Sequence, residues 1–460
     1  MHKHVFFTLL LLALASCSNS NSEQITPVQP IKNTDSLITF AQHISPIIYN
    51  NCVECHHPNG GAPFSLTNYH DVAKRSKMIA YVTAEKYMPP WPADKSYSSF
   101  LGEKGLTDQE IKLIRKWHKQ GAKQGNPEHE APVPVIKGSR LGKPDLVVKM
   151  PERIPIYGNN NDRFLISKLP YEIPTDTFVK MIEFIPGNRR FVHHMNGHLL
   201  QYFRPKNVWQ GENWVDREDY LQQDAYTALD FPYPDGSFPT LVPSIVNYLP
   251  GVQAVEYPDG IGGFKLPKTG MFYLNDIHYG PSPIDTFDQS YLNIYYADEA
   301  PKRPLREFQL GTSGVSPVVP PLVIPPNTVK QFTTQLRVPK DLSFVTINPH
   351  MHLLGKSMKA YAITLENDTI PLINIEDWNF RWQYFYTFKN LLKIPKGSLL
   401  KVEATFDNTL DNLDNPFDPP QLITGREGSM KTTDEMFQFI INYLPYQEGD
   451  EYISLDPNVK

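Results

Sequence analysis

Asp434-Glu435-Met436-Phe437-Gln438-Phe439-Ile440-Ile441-Asn442-Tyr443 decides the kind of fold this chain adopts. Successive side chains of a strand point to opposite faces, so Phe437, Phe439, Ile441 and Tyr443 share one face and Met436, Gln438, Ile440 and Asn442 the other. The stretch predicts a strand with one face in a core. Met436 falls on the face away from the aromatic rings, where a thioether is poor packing and a good soft ligand. Outward from this strand, runs at 178–185, 271–278, 291–296, 344–347, 358–365 and 399–406 repeat the strand signal. The 43 prolines, 25 phenylalanines and 24 tyrosines also favour short strands and turns over long helices. Pro-rich stretches at 122–144 and 314–326 mark a linker and a division of the β region into halves. The expected fold is multidomain: a small all-α segment at 37–125, a linker at 126–144, then antiparallel β-sandwiches at 145–313 and 314–460.

A length of 460 residues holds several cores, and a net charge of -5 argues against a nucleic-acid partner. Residues 5–15 form an apolar run behind Lys3, too short to span a membrane, and read as an export signal. Its end, Leu14-Ala15-Ser16-Cys17, resembles a bacterial lipobox, in which Cys17 would be lipidated. A signal at 1–17 and a polar tether at 18–36 then predict a membrane-anchored lipoprotein facing the periplasm, on the outer membrane. The chain has three cysteines. With Cys17 assigned to lipid and the other two to the motif below, none remains for a disulfide, so the β domains depend on core burial and bound metals.

Cys52-Val53-Glu54-Cys55-His56 is the C-x-x-C-H pattern, in which two thioethers fix a c-type haem and the histidine ligates its iron. A zinc half-site would need a second cysteine pair. Met88, in Tyr87-Met88-Pro89-Pro90-Trp91, is the expected sixth ligand, because prolines stiffen its loop. Met78 competes, but its helical surroundings place it in a core. Thr107 and Glu110 form a capping box, and Ile111, Leu113, Ile114 and Trp117 form the stripe of a helix expected to pack on the haem. Residues 40–122 resemble a class I cytochrome c domain, and His57 is expected in solvent.

Five histidines downstream form compact sets. In Phe191-Val192-His193-His194-Met195 the paired histidines need a bend to share an ion. His278 precedes a turn at Gly280-Pro281. In His350-Met351-His352 the imidazoles sit at i and i+2 on one strand face and can meet one ion. Two imidazoles with the Met436 thioether select copper, and no cysteine remains for a blue-copper site. His193, His194 and His278 could hold copper or zinc. Tyr279 and Glu435 are candidates to orient ligands, His198 reads as a strand residue, and Arg189 and Arg190 as a solvated turn.

His-His-Met, a His-Tyr-Gly strand end, His-x-His with Leu353-Leu354-Gly355-Lys356, and Asp-Glu-Met occur in that order over 143–445. Together they resemble the type II, ascorbate-dependent copper monooxygenases, the family of peptidylglycine α-hydroxylating and dopamine β-monooxygenases. The resemblance implies two jelly-roll-like sandwiches. It also implies an electron-transfer copper on His193, His194 and His278, and a catalytic copper on His350, His352 and Met436. The implied partners are O2, an organic substrate whose C–H bond is hydroxylated, and ascorbate as electron donor, and the fused haem motif, which the family lacks, adds the expectation of a periplasmic donor acting through the haem. Asn348 stands where peptide-amidating members have arginine, and Gln438 and Ile440 stand where they have Asn and Tyr, so peptide amidation is not expected. The competing expectation is a non-catalytic haem and copper electron carrier or copper-holding lipoprotein. A haem peroxidase would need a second C-x-x-C-H motif.

Overall fold

Antiparallel sheet dominates the chain, as the alternating runs require. The structure, a computed structural model, describes residues 37–459 except 59, 136–140, 253, 259 and 426–430. The signal at 1–17, Cys17 and the tether at 18–36 lie outside the described residues. Contacts set Met1–Leu37 apart from Ile38–Lys460, and everything below concerns the second unit. No helix among the described residues is long and apolar enough to cross a membrane.

Each of the seven expected β runs lies on a strand. The first pair of sheets joins Trp214–Asp216, Arg163–Glu172, Thr269–Tyr279, Val192–Gln201 and Thr240–Tyr248, in that spatial order, to a sheet of Leu146–Lys149, Tyr291–Tyr296, Thr177–Ile185 and Phe264–Leu266. One core lies between them: Leu165, Leu169, Phe272 and Leu274 from the first sheet meet Val148, Ile182, Phe184 and Leu292 from the second. The second pair orders Arg306–Gly311, Phe437–Pro445, Leu342–Met351 and Tyr386–Ile394 in one sheet, and Thr328–Arg337, Leu399–Asn408, Gly355–Ile363 and Thr369–Ile375 in the other. Phe437, Phe439 and Ile441 are fully buried against Phe332, Val402 and Phe406, as their alternation demands. Each such side chain contributes roughly 1.5–3 kcal/mol by leaving water. Arg306–Gly311, which lies before the expected division at 314, pairs with Phe437–Pro445 and belongs to the second pair of sheets.

The N-terminal part is helical: Phe40–Ile44, Ser45–Asn51, Tyr69–Lys74, Ser76–Ala84 and Asp108–Lys119. The capping box forms, with Thr107 Oγ1 accepting from the Glu110 amide and Glu110 accepting from the Thr107 amide at 2.8 Å. Leu113, Ile114 and Trp117 are buried, and the Trp117 ring lies 6.1 Å from Phe40. Ser76–Ala84 buries Ser76, Ile79, Ala80 and Thr83 at helical spacing. That choice of face turns Met78 outward to 52% exposure, so Met78 is not the core residue its surroundings suggested.

Two features tie this helical part to its surroundings. Residues 123–131, expected to lie mostly in a linker, are bonded to the first helices: Phe40 N donates to Lys123 O, Tyr49 Oη to Glu130 and the Ala131 amide to Ser45 Oγ. The loop after Met88 lies on the second pair of sheets. Ala93 bridges to Ile375 and Phe100 to Phe388, while Trp91 packs 5.3 Å from Tyr384 and 5.4 Å from Tyr386.

Candidate metal centre

His193 and His194 stand on the strand Val192–Gln201, whose pairing with Thr269–Tyr279 slips on both sides of His194. The irregular register supplies the bend that neighbouring residues need before both can approach one point. Both rings then reach His278: their centroids lie 4.9 Å (His193) and 4.8 Å (His194) from it. The Nδ1 atoms of His194 and His278 are 3.4 Å apart. That spacing suits two nitrogens each about 2 Å from one ion. A Cβ at Gly280 would stand 2.5 Å from His193 Nε2, so only glycine allows the ring to lie there.

Carboxylates back this cluster. His278 Nε2 donates to Asp162 at 2.7 Å, and His194 Nε2 lies 3.4 Å from Asp276, which is itself paired with the buried Arg217. A carboxylate behind an imidazole fixes its tautomer and frees the other nitrogen. Donor atoms of Asp162, His193 and His278 all lie within 4.8 Å of one another. Burial lowers His278 to about 3 and His193 to about 4, so both imidazoles are neutral at pH 7 and keep a lone pair for a metal. Burial opposes ionisation of Asp276, but Arg217 and His194 outweigh it and hold the carboxyl well below its ordinary range.

The second cluster sits where Leu342–Met351 ends beside Phe437–Pro445. His350 pairs with Gln438 and Met351 with Phe437, which brings Met436 opposite His352. The His350 and His352 rings are 5.1 Å apart. His350 Nδ1 donates to Gln383 Oε1 at 2.5 Å and His352 Nδ1 to the Asp434 carbonyl at 2.7 Å, which leaves each Nε2 uncommitted. Glu435 accepts from the amides of His352, Leu354 and Met436 and clamps the two strand ends together. Burial raises its carboxyl to about 8 against the pull of those three donors. Burial also lowers His350 to about 4 and His352 to about 3.

Residues 376–385, between two strands of the second pair of sheets, lie between the clusters. Phe380 is 5.7 Å from His352, 6.2 Å from His194 and 5.9 Å from Phe164, whose ring stacks on His278. Arg381 reaches Asp162 at 3.7 Å. A cavity of about 380 Å³ opens beside them, lined by His194 from the first cluster and by His350 and Met436 from the second.

In the C-x-x-C-H segment, His56 Nδ1 donates to the Phe64 carbonyl at 3.0 Å and leaves Nε2 for a metal. Burial pushes the Cys52 thiol up to about 12, which opposes a thiolate ligand and leaves a neutral thioether unpenalised. A Cβ at Gly251 would collide with Cys55 Sγ, so the β region closes directly over this cysteine. The Met88 amide donates to Val82 O at 3.1 Å, and no hydrogen bond or ring contact among the described residues joins Met88 to Cys52, Cys55 or His56. His57, expected in solvent, is half-buried near Arg189. Tyr279 donates to Asp288 at 2.9 Å and touches no candidate ligand by hydrogen bond. His198 lies within its strand and accepts from the Ser244 amide.

By chemistry two imidazoles near a thioether suit copper and one imidazole beside two neutral sulfurs suits a c-type haem, while in the first cluster the ligand atoms that come together as a set are those of Asp162, His193 and His278, with His194 beside His278 but outside that set. Asp162, Asp276, Arg217 and the loop 376–385 went unread in the sequence. The aromatic run Trp378-Asn379-Phe380-Arg381-Trp382-Gln383-Tyr384-Phe385-Tyr386 was the signal available for that loop. No protein-family model matches the chain, and no curated protein matches it. Among solved structures it is similar to a chain of "Structure of infectious bursal disease virus Gt strain", at 10% identity over 67% of this chain and 78% of that one, with a TM-score of 0.14. A likeness so slight carries no argument.

Proposed function

We propose that the chain is a copper-dependent monooxygenase fed with electrons through a fused c-type haem. In this reading the helical segment is a cytochrome c domain, and the two pairs of sheets are jelly-roll-like copper domains of the type II monooxygenase kind. The carrying observation is that one cavity is lined by His194 from the first histidine cluster and by His350 and Met436 from the second. His193, His194 and His278 would hold one copper, His350, His352 and Met436 the other, and Cys52, Cys55, His56 and Met88 the haem. When bound, copper activates O2 for insertion into a C–H bond and haem supplies single electrons, the sum being R–H + O2 + 2e⁻ + 2H⁺ → R–OH + H2O.

The chain's own groups prepare that chemistry. Asp162 and Asp276 orient the imidazoles of the first cluster, and Gln383 and the Asp434 carbonyl orient those of the second. Glu435 fixes Met436 against the histidine strand. Phe380 fills the space between the clusters and excludes water there. The Pro90–Trp91 loop meets Tyr384, whose hydroxyl donates to Pro90 O at 2.9 Å, and Tyr384 adjoins Gln383 in the chain. The partners are O2, an organic substrate and a periplasmic or ascorbate donor. Cys17 would anchor the protein to the outer membrane.

Metal analysis of the purified protein tests the ligand sets. Wild type should carry two coppers and one iron, and His350→Ala or Met436→Ala should lose one copper and keep the haem. O2 uptake coupled to a hydroxylated product tests the activity. Full metal loading with no O2 consumption in the presence of reductant and candidate substrates would favour the non-catalytic electron carrier.

A further inference from the structure

We infer that the cavity between the two ligand clusters binds a small, neutral, polyhydroxylated molecule of the sugar or polyol class. This rests on the reading above, in which the same cavity receives the substrate.

Amide side chains face this cavity from both halves. On the first sheet, Asn196 is the cross-strand partner of Asn247, and Asn275 stands on the neighbouring strand Thr269–Tyr279. On the second sheet, Asn348, Gln438 and Gln309 occupy three neighbouring strands. Each of their amide nitrogens is anchored by one bond: Asn348 donates to the Tyr384 carbonyl, and Gln309 and Gln438 both donate to Thr312 O. Those bonds use one N–H of each amide and leave its oxygen and second N–H, a mixed set that hydroxyl groups can meet. In the first row, the oxygens of Asn196, Asn247 and Asn275 are buried with no hydrogen-bond partner, and so is one oxygen of Glu307 on the same wall.

Thirteen buried side-chain N and O atoms among the described residues lack a partner, and seven belong to residues lining this one cavity. Buried polar atoms are normally paired, and each one left unpaired costs about 1–3 kcal/mol. Their concentration here marks a surface built to be completed by an occupant.

The wall also states what kind of occupant. It needs several donors spaced along the cavity, which hydroxyl groups supply. An organic cation would find one unpaired carboxyl, Glu307, since Asp276 is already paired with Arg217, and the other waiting acceptors are uncharged amides. Among the described residues an anion has no free cationic partner on this wall, since Arg217 is the only lysine or arginine lining it and it is committed to Asp276. A purely apolar molecule would leave the amides unsatisfied. Tyr226 and Tyr273, edge-to-face at 5.7 Å, add aromatic carbon to the wall that the C–H groups of a sugar can meet. About 380 Å³ lies at the small end of the roughly 300–1,000 Å³ usual for ligand pockets, which suits a monosaccharide or a short polyol.

Calorimetric titration of the full-length, haem- and copper-loaded protein with glucose, mannitol and myo-inositol tests this, with butylamine and butyrate as charged controls. Saturable binding of at least one polyol, one per chain, is expected. Asn247→Leu on one wall and Gln309→Leu on the other should each weaken it about tenfold while keeping wild-type metal content and melting temperature. Binding should persist after copper is removed with a chelator. Binding of butylamine alone, no polyol binding, or unchanged polyol affinity in both correctly folded variants overturns the inference. The monooxygenase reading fails separately: a polyol that binds through these amides and is never hydroxylated under O2 and reductant supports the pocket and sinks the oxygenase. A hydroxylated amine with no polyol binding does the reverse.

Discussion

The two histidine clusters use the same imidazole chemistry with opposite surroundings. Behind His194 and His278 stand the carboxylates Asp276 and Asp162, both held ionised by their partners. Behind His350 and His352 stand an amide oxygen and a backbone carbonyl, and the nearby carboxyl, Glu435, is pushed by burial toward its neutral form. Negative charge beside a ligand favours the more highly charged ion. Neutral support with a thioether favours the less charged, softer one. In the copper enzyme we propose, the first cluster would favour the Cu(II) state and the second the Cu(I) state.

The largest effect should come from breaking the charged side. Asp276→Asn leaves Arg217 buried without its partner, and urea unfolding should show a loss of about 3–5 kcal/mol together with depleted copper in the first cluster. Unchanged stability would mean that Arg217 finds another acceptor. On the neutral side, Met436→Ala should remove copper from the second cluster alone, read as the loss of the Cu(I) that a thioether site retains after reduction. Equal loss from both clusters would collapse the distinction.

A smaller change is expected for Gln383→Ala, which frees the His350 ring without removing a ligand. Copper affinity of the second cluster should fall about tenfold in competition with a chelator, with the first cluster unaffected. The smallest effect belongs to Glu307, a carboxyl on the cavity wall with no ion pair among the described residues, which burial raises from 4.5 to about 7. A raised carboxyl favours the folded state when protonated, so wild-type stability should decline as pH rises from about 4.5 through about 7. Glu307→Gln should escape that decline, and the two melting curves should diverge between pH 5 and pH 8. Parallel curves would show that Glu307 is solvated.

What was legible in the sequence is local. Strands such as Phe437–Pro445 announce themselves by period, and C-x-x-C-H and His-x-His carry their spacing within a few residues. The supporting groups do not. Asp162 meets His278 across 116 residues of chain, and no periodicity reports a contact that only folding creates. The same holds for Phe380, whose role arises because a loop of the second half reaches the first. Met78 was misplaced because a short amphipathic helix can bury either of two faces, and Ile79, Ala80 and Thr83 decided the matter.

The docking of the Trp91 loop bears on modularity. A small helical part fused to larger sheets is often imagined as a cassette on a leash, removable without harm to its neighbour. Here Ala93 and Phe100 extend the β region by bridging to its strands, and Trp91 covers Tyr384 and Tyr386. Deleting the helical segment would strip that cover from the backbone that carries Gln383 to His350. The two parts of this chain share packing and would have to be expressed and engineered as one.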